Sequence, residues 1–113
     1  MPHALEDVFE LHAAICQTFA HPKRLRILAA LRAGELTVGA LAERLRLPKA
    51  NLSQHLALLR SRGVLQARRQ GANVFYSVTN PKITRACDLM RGVLEERLAG
   101  SRMLIERSRR ART

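Results

Sequence analysis

The hydrophobic period of the chain changes at Gly63. Before it, apolar residues recur every three or four positions, as one face of a helix requires. After it, in "VLQARRQGANVFYSV", β-branched and aromatic residues flank Gln70-Gly71-Ala72-Asn73, the pattern of two strands joined by a short turn. Beyond Pro81 the helical period returns, with Ile83, Cys87, Met90, Leu94 and Leu98 on one stripe. A chain of 113 residues has room for one modest core. A set of helices, one hairpin and a long last helix must share it, which predicts a mainly α fold with a β-hairpin.

Local signals set the boundaries. Leu5, Val8, Ile15 and Phe19 recur at roughly helical spacing, with Phe9 and Cys16 beside them. Pro22 fits the first turn of a second helix, "PKRLRILAALRAG", which Gly34 can end. Thr37 can cap a third, "VGALAERL", with Val38, Leu41, Ala42 and Leu45 inward. Pro48 opens a fourth helix and Gly63 closes it. There is no internal repeat and no linker. The expectation is one domain over residues 1–107 and a basic tail over 108–113, the end of "RSRRART", predicted to be frayed.

The fourth helix, within "KANLSQHLALLRSRGVL", carries the most information. On a helical wheel Leu52, Leu56 and Leu59 form the buried face. The opposite side shows Ala50, Gln54, Ala57 and Ser61, small or amide-bearing residues suited to a close approach. Lys49, Asn51, Ser53 and His55 lie near its start, and Arg60 and Arg62 at its edges further on. A short helix and the tight "RLRLP" turn precede it, which is a helix-turn-helix arrangement. The second helix of such a pair can enter the major groove of DNA, where Gln and Asn bond base edges, adenine above all. Its N-terminus favours a phosphate. Arg68, Arg69, Gln70 and Asn73 then cluster at the hairpin turn, as on the wing of a winged helix, where Arg meets phosphates or a groove.

Charge agrees with that partner. Lys and Arg number 20 against 9 Asp and Glu, a formal charge of +11, which predicts an anionic partner. No apolar run approaches the roughly 20 residues of a membrane span, and the start "MPHALEDVFELH" lacks the pattern of a signal peptide, so the expected place is the cytoplasm.

The stretch "ICQTFAHPKRLRILAALRAGELTVGALAERLRLPKANLSQHLALLRSRGVLQARRQGANVFYSV" resembles the ArsR family of winged-helix repressors. The matching pieces are His21-Pro22 to Leu28, Glu35-Leu36-Thr37-Val38, Ser53-Gln54-His55-Leu56, Leu59-Arg60, Gly63-Val64-Leu65 and Arg69-Gln70-Gly71. The resemblance implies a homodimer built by the first and last helices. It also implies a repressing apo form, released from DNA by an inducer. A two-fold dimer calls for an imperfectly palindromic operator with half-sites about one helical turn apart, or a multiple of it.

Many relatives bind metal, so the family's sites were matched residue by residue. The arsenic-type Cys-Val-Cys falls on Thr37-Val38-Gly39, which has no thiolate. The zinc-type site of the last helix falls among Asp88, Glu95 and Glu96, with no histidine after His55. Neither metal nor cofactor is therefore expected. Two cysteines remain, Cys16 on the first helix and Cys87 on the last, without a zinc-finger spacing. One reading makes them core residues. A second makes them a thiol switch across the two dimerisation helices. A third has them bind a thiophilic ion such as As(III), with His12 one turn before Cys16 as a further ligand. The cysteine positions of persulfide-sensing relatives correspond to about Ala29 and Glu95 here. His3, His12 and His21 read as exposed or capping residues, and His55 as a hydrogen-bonding residue within the helix, with a phosphate contact as a further role.

Three other function classes fit less well. A basic RNA-binding protein would explain the charge, but RNA modules present aromatic platforms, and the chain has three Phe, one Tyr and no Trp. A protein-interaction module would not need the polar helix face or the Arg-rich turn. An enzyme would need a phosphate loop or a nucleophile-base set, and neither is evident.

Overall fold

The computed structural model describes residues 4–112, with side chains from Asp7 to Ala111; His3 and the Leu5 side chain lie outside that range. Five helices and three short strands follow one another as α1 (Ala4–Phe19), α2 (Pro22–Ala30), β1 (Leu36–Thr37), α3 (Val38–Leu45), α4 (Lys49–Ser61), β2 (Leu65–Gln70), β3 (Asn73–Val78) and α5 (Pro81–Arg112). A 3-10 turn, Leu31–Ala33, extends α2 towards Gly34.

The ends of these elements follow from single residues. Pro22 starts α2, and the His21 side chain caps it by accepting from the Lys23 N–H. The Thr37 hydroxyl accepts from the Ala40 N–H at 3.1 Å and caps α3. At the far end of α4, Gly63 takes φ 75°. Its N–H reaches the Arg60 carbonyl and the Val64 N–H reaches the Leu59 carbonyl, which is a Schellman stop with Val64 and Leu59 both buried. Gly71 takes φ 62°, the conformation glycine supplies at the first position of a type II′ turn. Only Gly71 and Ala72 lie between the strands, because Gln70 and Asn73 are the last cross-strand pair.

Arg46 ends α3 with φ 54°, a left-handed conformation that costs a side-chain-bearing residue energy. Arg46→Gly is expected to raise the unfolding free energy by about 0.5–1 kcal/mol, read as a higher denaturation midpoint. No gain would mean that Arg46 makes good the strain elsewhere.

The core gathers Ile27, Leu28, Leu31, Leu41, Leu52, Leu56, Leu59, Val64 and Leu65, all buried. The three leucines of α4 are those the wheel places inward. Ile15, Phe19, Ile83 and Cys87 pack against this centre, so α1 and α5 touch it over only part of their length.

One feature differs from expectation. The sheet has three strands in the order β1-β3-β2, with Leu36 and Thr37 paired to Tyr76 and Phe75. Two residues are too few to show a period, so this edge strand left no pattern in the sequence. The stripe of α1 outruns the core, as on a helix expected to build a dimer: Val8, Phe9 and Leu11 are exposed, while Ile15 and Phe19 are half-buried. α5 continues through the expected boundary at 107/108 as far as Arg112, for its last dozen residues are mostly good helix formers, with Glu106 four residues before Arg110.

Thirty-two residues make α5 about 48 Å long. Its first turns are held to the body: Thr84 is buried, and Asp88 pairs with Arg32 of the 3-10 turn at 3.2 Å and with Arg91 one turn on. From Val93 to Ala111 every side chain is exposed, including Leu94, Leu98, Met103, Leu104 and Ile105.

Candidate nucleic-acid interface

Helices α3 and α4 meet at the turn Arg46-Leu47-Pro48. The left-handed Arg46 redirects the chain, and the Leu47 N–H closes on the Ala42 carbonyl at 3.1 Å. Pro48 precedes α4 with extended backbone, and no side chain caps the helix. The N–H groups of its first turn are thus offered outward, beside the exposed Lys49.

Burying Leu52, Leu56 and Leu59 fixes which face of α4 remains outside. Lys49, Ala50, Ser53, Gln54 and Ala57 are exposed there, and Arg60, Ser61 and Arg62 continue the exposed surface to the helix end. Gln54 carries the amide suited to a base edge, and its neighbours Ala50, Ser53 and Ala57 are small enough to let it approach.

Asn51 and His55 belong to a different environment. Both are half-buried on the flank towards α2. Asn51 Oδ1 accepts from Lys23 Nζ at 3.3 Å, and His55 Nδ1 accepts from Arg24 Nε at 3.3 Å. The His55 ring lies 4.6 Å from that of His21. Burial, reinforced by His21 and by the charges of Arg24 and Lys23 beside it, holds His55 below the ordinary histidine value, so the ring is neutral at neutral pH. His55 therefore serves the scaffold first, as one of its two expected roles. Lys23 and Arg24 were not singled out in the sequence. Their partners stand 28 and 31 residues away, and no local spacing announces such a pair.

The wing divides its arginines. Arg68 is occupied: its guanidinium grips both Glu35 oxygens, donates to Gln70 Oε1 at 2.8 Å and lies 4.9 Å over the Phe75 ring. Arg68 in turn holds the Glu35 carboxyl below the usual carboxylate range. The clamp is fully present above that ordinary range and is lost as pH falls through the lowered value. This contact ties the hairpin to the chain just before β1. Arg69, opposite Val74, points to the other face of the hairpin and is exposed, as are Gln70 and Asn73 at its tip. Of the two wing arginines, Arg69 is thus the one placed for an outside anion.

The cysteines are both free thiols; Cys16 is exposed and Cys87 half-buried against the core. Burial pushes the Cys87 thiol up; Arg91 opposes this, while Asp88 and Cys16 add to it. Among the described residues no three His, Cys, Asp or Glu side chains gather where a metal ion could sit. Asp88 faces arginines instead. Among the same residues no helix is long and apolar enough to cross a membrane.

A helix-turn-helix whose second helix offers a polar outer face, followed by a twisted hairpin, is the architecture of winged helix-turn-helix DNA-binding proteins. Residues 19–66 match the family described as a helix-turn-helix domain. The HTH-type transcriptional regulator Rv0081 of Mycobacterium tuberculosis is 37% identical over 102 residues, 89% of this chain and 90% of that protein. The transcriptional repressor PagR of Bacillus anthracis is 41% identical over 81 residues, 71% of this chain and 77% of the repressor. Among solved structures, the Mycobacterium bovis protein Mb0332 is described as a homodimeric winged helix-turn-helix DNA-binding domain of a possible ArsR-family regulator. It superposes with a TM-score of 0.77 at 28% identity, covering 87% of this chain and 91% of that one. The chain belongs to the ArsR family of winged helix-turn-helix transcriptional regulators.

Proposed function

We propose that the chain is a homodimeric repressor that places α4 in the major groove of an imperfectly palindromic operator and leaves it when an inducer acts. The carrying observation is the division of α4: three fully buried leucines on one side, and an exposed Lys49–Ala50–Ser53–Gln54–Ala57 surface on the other. The net charge of +11 supports a polyanionic partner, and Arg69 extends the same chemistry to the wing. The protein acts by binding, in the cytoplasm where its DNA is, and not by catalysis.

Dimerisation is supported by surface that one chain leaves open. Phe9 is 68% exposed and Leu89 69%, on stretches of α1 and α5 that lie beside residues packed on the core, and Leu104 is 66% exposed on the free part of α5. Apolar stripes of this extent need a cover, and a second copy supplies the self-complementary one. Selection from a random duplex pool is expected to enrich a site with two half-sites about one helical turn apart, or a multiple of it, bound by two chains. Enrichment of a single half-site by a chain that sediments as a monomer at micromolar concentration would contradict this reading.

For the inducer, the free thiols of Cys16 on α1 and Cys87 on α5 support a thiol switch. An oxidant such as diamide takes two electrons and two protons from the pair, joining the sulfurs and becoming the hydrazine. The bridge fixes the Cα separation at roughly 4.4–6.8 Å and locks α1 to α5. The exposed Cys16 is the more open to the oxidant, while the half-buried Cys87 holds its proton more tightly than an ordinary thiol. Oxidised protein is expected to lose operator affinity, and Cys16→Ser to ignore diamide. A Cys16–Cys87 linkage, seen by intact mass, with unchanged affinity would leave both cysteines as packing residues.

A further inference from the structure

A half-buried polar cluster lies between α1, α2 and α4, to one side of the exposed face of the recognition helix. Its centre is Arg24. One terminal guanidinium nitrogen donates to the Thr18 carbonyl in the last turn of α1 at 3.1 Å, and Nε donates to His55 Nδ1 in α4 at 3.3 Å. Beside it, Lys23 Nζ donates to Asn51 Oδ1 at 3.3 Å. Asn51 and His55 are one turn apart on α4, and Gln54 adjoins His55. Among the described residues, these are the side-chain hydrogen bonds that join α2 to α4.

We propose that Arg24 is a positioning residue for DNA reading, fastening α4 to the end of α1 and so setting the angle at which Gln54 is presented. The inference rests on the assignment of α4 as the DNA-reading helix. Apolar packing by Leu52, Leu56 and Leu59 holds α4 against the core but is non-directional. Hydrogen bonds on one flank of the helix resist its rotation about its own axis. The two acceptors, a carbonyl on α1 and an imidazole on α4, need donors that point in different directions from one group. A guanidinium has them in a fixed fork, whereas an ammonium is a single point. The Thr18 carbonyl also lies at the negative end of the α1 dipole, which favours a cation there.

The link needs a neutral His55. Its neighbours on α2 are His21, Lys23 and Arg24; α1 offers the uncharged Thr18 carbonyl, bonded to the same Arg24, and α4 itself offers Asn51. Protonation would remove the acceptor and set a further positive charge beside Lys23 and Arg24. The acceptor is therefore present above the ordinary histidine value of about 6.5 and is lost as pH falls through the lowered value that His55 has in the fold.

The test compares wild type, Arg24→Met and Arg24→Lys in competition between the duplex that wild type selects from a random pool and a random duplex. It is run at about pH 8, where His55 is neutral, with thermal unfolding alongside. Arg24→Met is expected to lose roughly tenfold in operator preference. Arg24→Lys, which keeps the charge, is expected to lose preference as well, and it carries the test if Arg24→Met does not fold. Variants that keep the wild-type preference, whatever their melting temperature, overturn the proposal. A wild type that prefers no duplex at all overturns the DNA-reading assignment itself, and this inference with it.

Discussion

Leu56→Ala is expected to lower the unfolding free energy by about 2–5 kcal/mol, a large share of what holds a domain of this size together. Leu56 is fully buried among Leu28, Leu41, Leu52 and Leu59 and sits in the middle of the recognition helix. Removing its branched end leaves a cavity that rigid neighbours on three helices can close only in part. A urea titration reads the effect as a lower midpoint with an unchanged slope. A loss under about 1 kcal/mol would mean that α4 is not seated on the core as described.

Gln54→Ala is the second large effect, and it should leave stability alone because Gln54 is exposed. Operator preference over random duplex is expected to fall by about 1–3 kcal/mol, since a base-edge contact discriminates and a phosphate contact does not. Arg69→Ala should behave in the opposite way, weakening operator and random duplex alike and reducing the slope of log affinity against log salt by about one. The contrast between the two substitutions separates groove from backbone. If Gln54→Ala and Arg69→Ala had the same signature, the division between helix and wing would be wrong.

Most of the architecture was legible because local chemistry dictates it. Pro22, Thr37, Gly63 and Gly71 each do what their residue type predicts at an element end. The three inward leucines of α4 follow from helical spacing alone. What escaped is non-local. Lys23–Asn51, Arg24–His55 and Arg68–Glu35 join residues 28, 31 and 33 positions apart, and pairings of that kind carry no period. The same blindness affected the wing, where sequence gives Arg68 and Arg69 equal standing. The structure engages the first with Glu35, Gln70 and Phe75 and leaves the second exposed. The half-open stripes of α1 and α5 were legible: two helices that the resemblance assigns to a dimer are expected to leave part of an apolar face uncovered by the chain's own core.

The central claim is that the Gln54 face of α4 reads base edges in the major groove. The direct measurement is affinity for the selected duplex with 7-deazapurines placed in the half-sites, which removes the major-groove N7 acceptors and leaves the backbone intact. Wild type is expected to lose about tenfold or more, and Gln54→Ala to lose little beyond what it has already lost, because the two changes remove the same contact. Equal affinity of wild type for the natural and the 7-deaza duplex, or full additivity with Gln54→Ala, would contradict the account.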